Sequence, residues 1–171
     1  PTLTWNVSNV RRMGEMFLGA TSFNQPLAGW DVSNVIEMGG MFKETPFNQP
    51  IGAWDTSSAQ TMESMFSSAT AFNQPIAGWD TSQVRNMYGM FNTATSFNQP
   101  IGGWNTSQVE TMEFMFLDAV NFDQDISGWD VSSVDSMFWM FFRARGFNNG
   151  GQDLTWDDSV SQVSNFGGMF S

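Results

Sequence analysis

Cysteine and histidine are both absent from this 171-residue chain, and basic residues are scarce, with 6 Lys and Arg against 17 Asp and Glu. Without either residue there is no Ser-His-Asp triad, no thiol nucleophile and none of the usual zinc or haem ligation. Disulfides are excluded as well, although that alone does not fix the compartment. A formal net charge of −11 repels phosphate backbones, which argues against a nucleic-acid partner. No apolar run approaches the ~20 residues of a membrane-spanning helix. An initiator Met and a signal peptide are missing too: the chain opens on Pro1 and reads as a piece of something longer.

What is abundant is Met, Phe and Trp, and these residues recur in register. Phe-Asn-Gln or a close variant begins at Phe23, Phe47, Phe72, Phe97, Phe122 and Phe147. Trp recurs at Trp5, Trp30, Trp54, Trp79, Trp104, Trp129 and Trp156. Met-x-x-Met-Phe recurs from Met13, Met38, Met62, Met87, Met112 and Met137, and a last copy substitutes Phe166 for the first Met. The spacing is 25 residues, with one unit of 24 around Thr45 and Pro46 and one of 27 between Trp129 and Trp156. All 13 Met, 14 of the 17 Phe and 7 of the 8 Trp obey the pattern, so they are expected to form core columns stacked from repeat to repeat. The alternative uses of a Met stripe, copper ligation or an adaptable groove, yield to packing.

Within one unit, Val84, Met87, Met90, Phe91 and Ala94 lie on one face of a helix of about three turns. Asp80, Thr81 and Ser82 would cap it, and Ser57 with Gln60, like Ser107 with Glu110, has the spacing of a capping box. Phe97, Asn98, Gln99, Pro100 and Ile101 predict a short extended segment, limited by Pro100. The expected fold is therefore α/β: a leucine-rich-repeat-like solenoid with one short strand and one short helix per 25-residue repeat. Residues 1–171 form one such unit of six to seven repeats, with an irregular long repeat at 143–171. Leu3-Thr4-Trp5-Asn6 returns as Leu154-Thr155-Trp156-Asp157, which suggests a superunit within a longer array.

Units such as Phe97-Asn98-Gln99-Pro100-Ile101-Gly102-Gly103-Trp104, followed by Met112-Glu113-Phe114-Met115-Phe116, resemble the repeat of BspA-like leucine-rich-repeat surface proteins. The likeness covers essentially the whole chain and rests on three motifs in fixed register. It weakens after Gln124, where Asp125 and Gly150 replace the Pro. The resemblance implies an extracellular or cell-surface array serving adhesion, and it implies no particular ligand, because the shared residues are core residues.

Three sets of residues are candidates for chemistry. The residue after each Trp is acidic or an amide: Asp31, Asp55, Asp80, Asn105, Asp130 and Asp157, with Asn6 at the start. Asp31, Asp55, Asp80 and Asp130 are a candidate calcium column, set against capping of helix starts, which is favoured. Asn24, Asn48, Asn73, Asn98, Asp123 and Asn148 form a second column, expected to be an amide ladder with a structural role. Carboxylate pairs for glycoside hydrolysis, Asp123 with Asp125 or Asp157 with Asp158, are no more than an acidic protein offers, and no enzyme or cofactor is expected.

The third set lies where the repeats differ. The positions between and after the two Met are small or polar early in the chain. Later, Tyr88, Phe114, Leu117, Phe138, Trp139 and Phe142 arrive together and include every Phe and Trp outside the register. They are the candidate binding patch. The alternative is that residues 143–155 fold over them as a local core. The functional expectation is a non-catalytic scaffold for adhesion or protein–protein interaction, with a protein partner or neighbouring repeats covering both ends. A glycan-binding module using Trp139, Phe138 and Tyr88, and an architectural subunit of a larger assembly, are the alternatives.

Overall fold

The computed structural model describes residues 3–171, and the side chains of residues 157–159 lie outside that description, with the Asp157 and Asp158 candidates among them. Each 25-residue unit is one coil, and consecutive coils are joined by single parallel bridges. These run Arg12 to Glu37, Thr61, Asn86, Thr111, Ser136 and Asn165 in turn. Among the described residues there is no α-helix and no extended strand; the regular elements are two 3-10 helices, Asn149–Gly151 and Asp157–Gln162. The expected α/β solenoid of leucine-rich-repeat type is therefore wrong.

The physical reason lies in the backbone hydrogen bonds of the Met-x-x-Met segment. The amides of Met13, Glu15, Phe17 and Gly19 donate to Glu37, Gly39, Met41 and Lys43 of the next coil. Those of Met16, Leu18 and Ala20 close local turns onto Met13, Glu15 and Phe17. Alternate amides thus leave the coil, and a helix would need all of them inside. Two left-handed residues per coil make this possible. One column, from Glu15 to Gly168, has φ of 53–62°, and the other, from Gly19 to Arg143, has φ of 54–66°. Repeated left-handed residues are incompatible with a right-handed helix and are what consecutive turns require.

The segment from Phe97 to Ile101 forms no strand, and bridging occurs upstream of the first Met instead. The capping boxes have no helix to cap: Ser57 and Ser107 donate their amides to Asp55 and Asn105.

The core is the set of columns expected from the repeat. The rings Phe17, Phe42, Phe66, Phe91, Phe116, Phe141 and Phe170 follow one another at 5.5–5.8 Å. A second ring from the Phe-Asn-Gln motif lies 3.8–4.0 Å from its partner in the same coil, as Phe91 does with Phe97. The six Trp of the repeat register from Trp30 to Trp156 each donate the indole N–H to a backbone carbonyl of the preceding coil, as Trp79 does to Ile51. The indole thus buries its ring and satisfies its one donor together.

The Asn column is a ladder on the half-buried to exposed edge. Asn48 Oδ1 accepts the amide of Asn73 and the side chain of Gln74, and the pattern repeats at Asn24, Asn73 and Asn98. The two irregular repeats keep the same bonds by other means. In the short coil, buried Thr45 donates to Phe42 and accepts from Phe47. In the long one, Asp123 accepts from Asn148 and from Gly150, whose amide stands in for the missing Gln side chain. Buried Asn149 pins the enlarged loop through Ile126, Gln152 and Asp153.

Candidate functional site

The Met-x-x-Met turns line up coil over coil, and the side chains between and after the two Met stand outside the core. Along the stack this face changes character. At the N-terminal half it is a polar groove of about 510 Å³, floored by Gly14, Gly39 and Gly40. Its walls include Arg12, Glu37 and Lys43, and Arg12 pairs with Glu37 at 3.3 Å. Gly40 takes the left-handed position of its coil, which Gly accepts without strain, whereas Gly14 and Gly39 stand one residue before that position and the first coil holds Glu15 in it.

From Tyr88 onward the same face becomes an aromatic ridge. Tyr88 meets Phe114 at 5.1 Å, and Phe114 presents its edge to Phe138 at 5.5 Å and to Trp139 at 6.0 Å. Phe138 stacks on Trp139 at 5.1 Å, Trp139 stacks on Phe142 at 4.5 Å, and the Arg143 guanidinium lies 5.9 Å from the Phe142 ring centre. The structure therefore brings the five aromatic candidates together. All five are half-buried, as is Leu117, which follows Phe114 on the same turn face without a ring contact of its own.

Two members, Phe114 and Trp139, occupy left-handed positions at φ 58° and 53°. Gly167 and Gly168 of the last coil close against Phe138 and Trp139. A Cβ at Gly168 would fall 2.5 Å from the Trp139 ring, so this coil has given up side chains to admit the aromatics. Arg143 is held by Asp118 at 3.0 Å, which orients it beside Phe142.

The acidic column stands elsewhere on the coil. Asp31, Asp55, Asp80 and Asp130 each accept the amide of the Ser two residues on, at 2.9–3.1 Å. Hydrogen bonding to the Ser hydroxyl and amide holds all four carboxyls below the ordinary carboxylate range, and Ser127 does the same for Asp125. Asn105 makes both bonds to Ser107 without a charge. The column serves turns, where helix capping was expected. No group of three or more acidic side chains is close enough to hold a metal ion among the described residues. Asp123, one half of the carboxylate pair considered above, is engaged by Asn148 and Gly150, and Asp125 is engaged by Ser127.

Invariant stacking inside and variable side chains on one outer face define a tandem-repeat protein. The chain belongs to the family described as Mycoplasma protein of unknown function, DUF285, whose model matches residues 2–88 and 75–171. No curated protein and no solved structure shows a significant match. Among the described residues, no helix is long and apolar enough to cross a membrane.

The polar groove escaped sequence reasoning. Its signal was Gly14 and Gly39 in equivalent positions of adjacent repeats, with Gly40 beside them, which reads as mere lack of side chains until the coils are stacked.

Proposed function

We propose that the chain is a non-catalytic scaffold displayed at a cell surface, and that the aromatic ridge from Tyr88 to Phe142 is its contact surface for a protein partner. The ridge carries this reading. Two of its aromatics sit where the backbone is left-handed, a conformation that costs a residue with a Cβ roughly 1–2 kcal/mol. The equivalent positions in other coils hold Glu15, Gly40, Ser64, Gly89 and Gly168, so the fold does not need a ring there. Rings gathered on one stretch of a column that elsewhere holds Glu, Ser or Gly are what a contact surface looks like. The likeness of the repeat motif to BspA-like surface proteins supports the extracellular placement and an adhesive role.

The glycan-binding alternative needs an open ring face. Trp139 is already stacked against both Phe138 and Phe142, which favours the protein partner.

The test replaces Phe114 and Trp139 by Gly. Relief of strain offsets the lost ring contacts, worth about 0.5–1.5 kcal/mol each, so the melting temperature should move by only a few degrees. Adhesion of the labelled chain to cells and to immobilised matrix proteins should fall by about tenfold, equivalent to about 1.4 kcal/mol. Undiminished adhesion, or unfolding of the double variant with no adhesion by the parent chain, would refute the contact role. Binding of the parent to a glycan array would transfer the ridge to the alternative.

A further inference from the structure

The turn that follows Trp104, in the interior of the stack, turns one side chain inward and two outward. Thr106 is buried and gives its hydroxyl to the Asp130 carbonyl, while Asn105 is exposed and Ser107 is half-buried beside it. Asn105 Oδ1 accepts the Ser107 amide at 3.1 Å and the Ser107 hydroxyl at 2.8 Å. A backbone amide can only donate, so the atom turned toward Ser107 is the oxygen, and Nδ2 is left over. Nothing among the described residues accepts a hydrogen bond from that Nδ2. Asn34, Asn86 and Asn121 differ, because theirs donate to Ser8, Glu63 and Thr95. Asn6 repeats the arrangement, accepting from Ser8 at 3.1 and 2.8 Å.

The fold does not require an amide at this position. Asp31, Asp55, Asp80 and Asp130 close the same turn onto Ser33, Ser57, Ser82 and Ser132, each through Oδ1. The second atom of the fork therefore has no part in the turn. Where Asn replaces Asp, that spare atom is a nitrogen and the sequence becomes Asn-x-Ser with x other than Pro, the acceptor pattern for N-linked sugar. Asn6-Val7-Ser8 and Asn105-Thr106-Ser107 are the two places in the chain that have it. A sugar is bulky and needs open surface. Around Asn105 the surface is open: a Cβ on Gly103 would meet nothing within 4 Å.

We propose that Asn105 is a site of N-glycosylation and that Asn6 is a second. Nδ2 forms a bond to C1 of a sugar carried on a pyrophosphate. The bond from C1 to the carrier breaks, the pyrophosphate leaves with the electron pair, and a base of the transferase takes the Nδ2 proton. Donor and transferase are met on the export route, so the inference rests on the surface placement proposed above. Both turn bonds reach Oδ1 and survive the modification. Their partners are two residues apart, so the turn needs no other coil and can form before the chain has folded. Asn105 belongs to the acidic column, and the test leaves Phe114 and Trp139 of the ridge untouched.

Peptide mapping by mass spectrometry, on protein isolated from the cells that make it, should find a glycan on the Asn105 peptide. An enzyme that hydrolyses the Nδ2 link should remove it and leave Asp. A bare Asn105 overturns the proposal wherever the protein is found, and protease shaving of intact cells decides the surface placement separately. In chains secreted from a glycosylating host, Ser107→Ala and Asn105→Asp should each lose the Asn105 glycan. Asn105→Asp should also fold and melt like the parent freed of sugar, because Asp makes this turn in four other coils. Asp55→Asn, which completes the pattern with Thr56 and Ser57, should gain a glycan. A bare Asp55→Asn turn beside a glycosylated Asn105 would overturn the claim that this turn presents the nitrogen.

Discussion

At the scale of the residue, the acidic column shows how one charge is used without burial. Asp55 accepts the Ser57 amide at 3.0 Å and its hydroxyl at 2.6 Å, and both bonds favour the ionised carboxylate. Its folded-state pKa therefore lies below the 3.8 of a free carboxyl. The stability linked to this difference is present at neutral pH and is lost as the pH falls through the lowered value. Asp31, Asp80, Asp125 and Asp130 are lowered in the same way, so acid should act on several coils at once. Asn105 makes the same two bonds with no charge to titrate. Replacing Asp55 and Asp80 by Asn should accordingly leave the urea midpoint at pH 7 nearly unchanged. It should also reduce the loss of stability between pH 7 and about pH 3, where free carboxyls begin to protonate. Chemical denaturation of both proteins across that range checks the sign. A larger acid loss in the variant would mean that these carboxylates do not set the acid limb.

At the scale of the element, the Met-x-x-Met turn decides the architecture, and here sequence and structure part company. Val84, Met87, Met90, Phe91 and Ala94 are all buried, so the core positions were legible from their spacing. The element carrying them was not, because a chain of turns closed between residues three apart brings the same positions to one side as a helix does. The discriminating signal was faint: Gly40, Gly89 and Gly168 at one register position hint at positive φ, but Glu15, Ser64, Phe114 and Trp139 at that position conceal it. The aromatic ridge was legible because its members break the repeat, whereas their left-handed strain depends on backbone angles that no residue type announces. Gly89 separates the two elements experimentally. In a helix, Gly89→Ala would stabilise by roughly 0.5–1 kcal/mol. At φ 56°, with the Ser64 hydroxyl oxygen 3.4 Å from the new Cβ, it should instead destabilise by roughly 1–2 kcal/mol. Thermal melts of the two proteins give the sign directly, and a stabilised variant would restore the helix.

At the scale of the molecule, the coils touch in sequence order, and the bridges run from each unit only to the next. Stability in such an array is approximately a sum of single-coil terms and nearest-neighbour interfaces. An interior coil has two interfaces and a terminal coil one, so opening should begin at the ends and spread inward. The column of forward-donating amides is a built-in set of reporters, one per coil: Glu15, Gly40, Ser64, Gly89, Phe114 and Trp139 make the same bond in the same backbone conformation. Because their local chemistry is matched, differences in hydrogen exchange among them report position in the stack. Protection should be greatest at Ser64 and Gly89 and fall toward Glu15 and Trp139. The gradient should be shallower on the Trp139 side, where Arg143 pairs with Asp118 and the last coil closes over the aromatic ridge through Gly167 and Gly168. Equal protection at all six amides would mean that the molecule opens only as a whole. In that case the continuous ring columns, and not the interfaces between neighbours, would set its cooperativity.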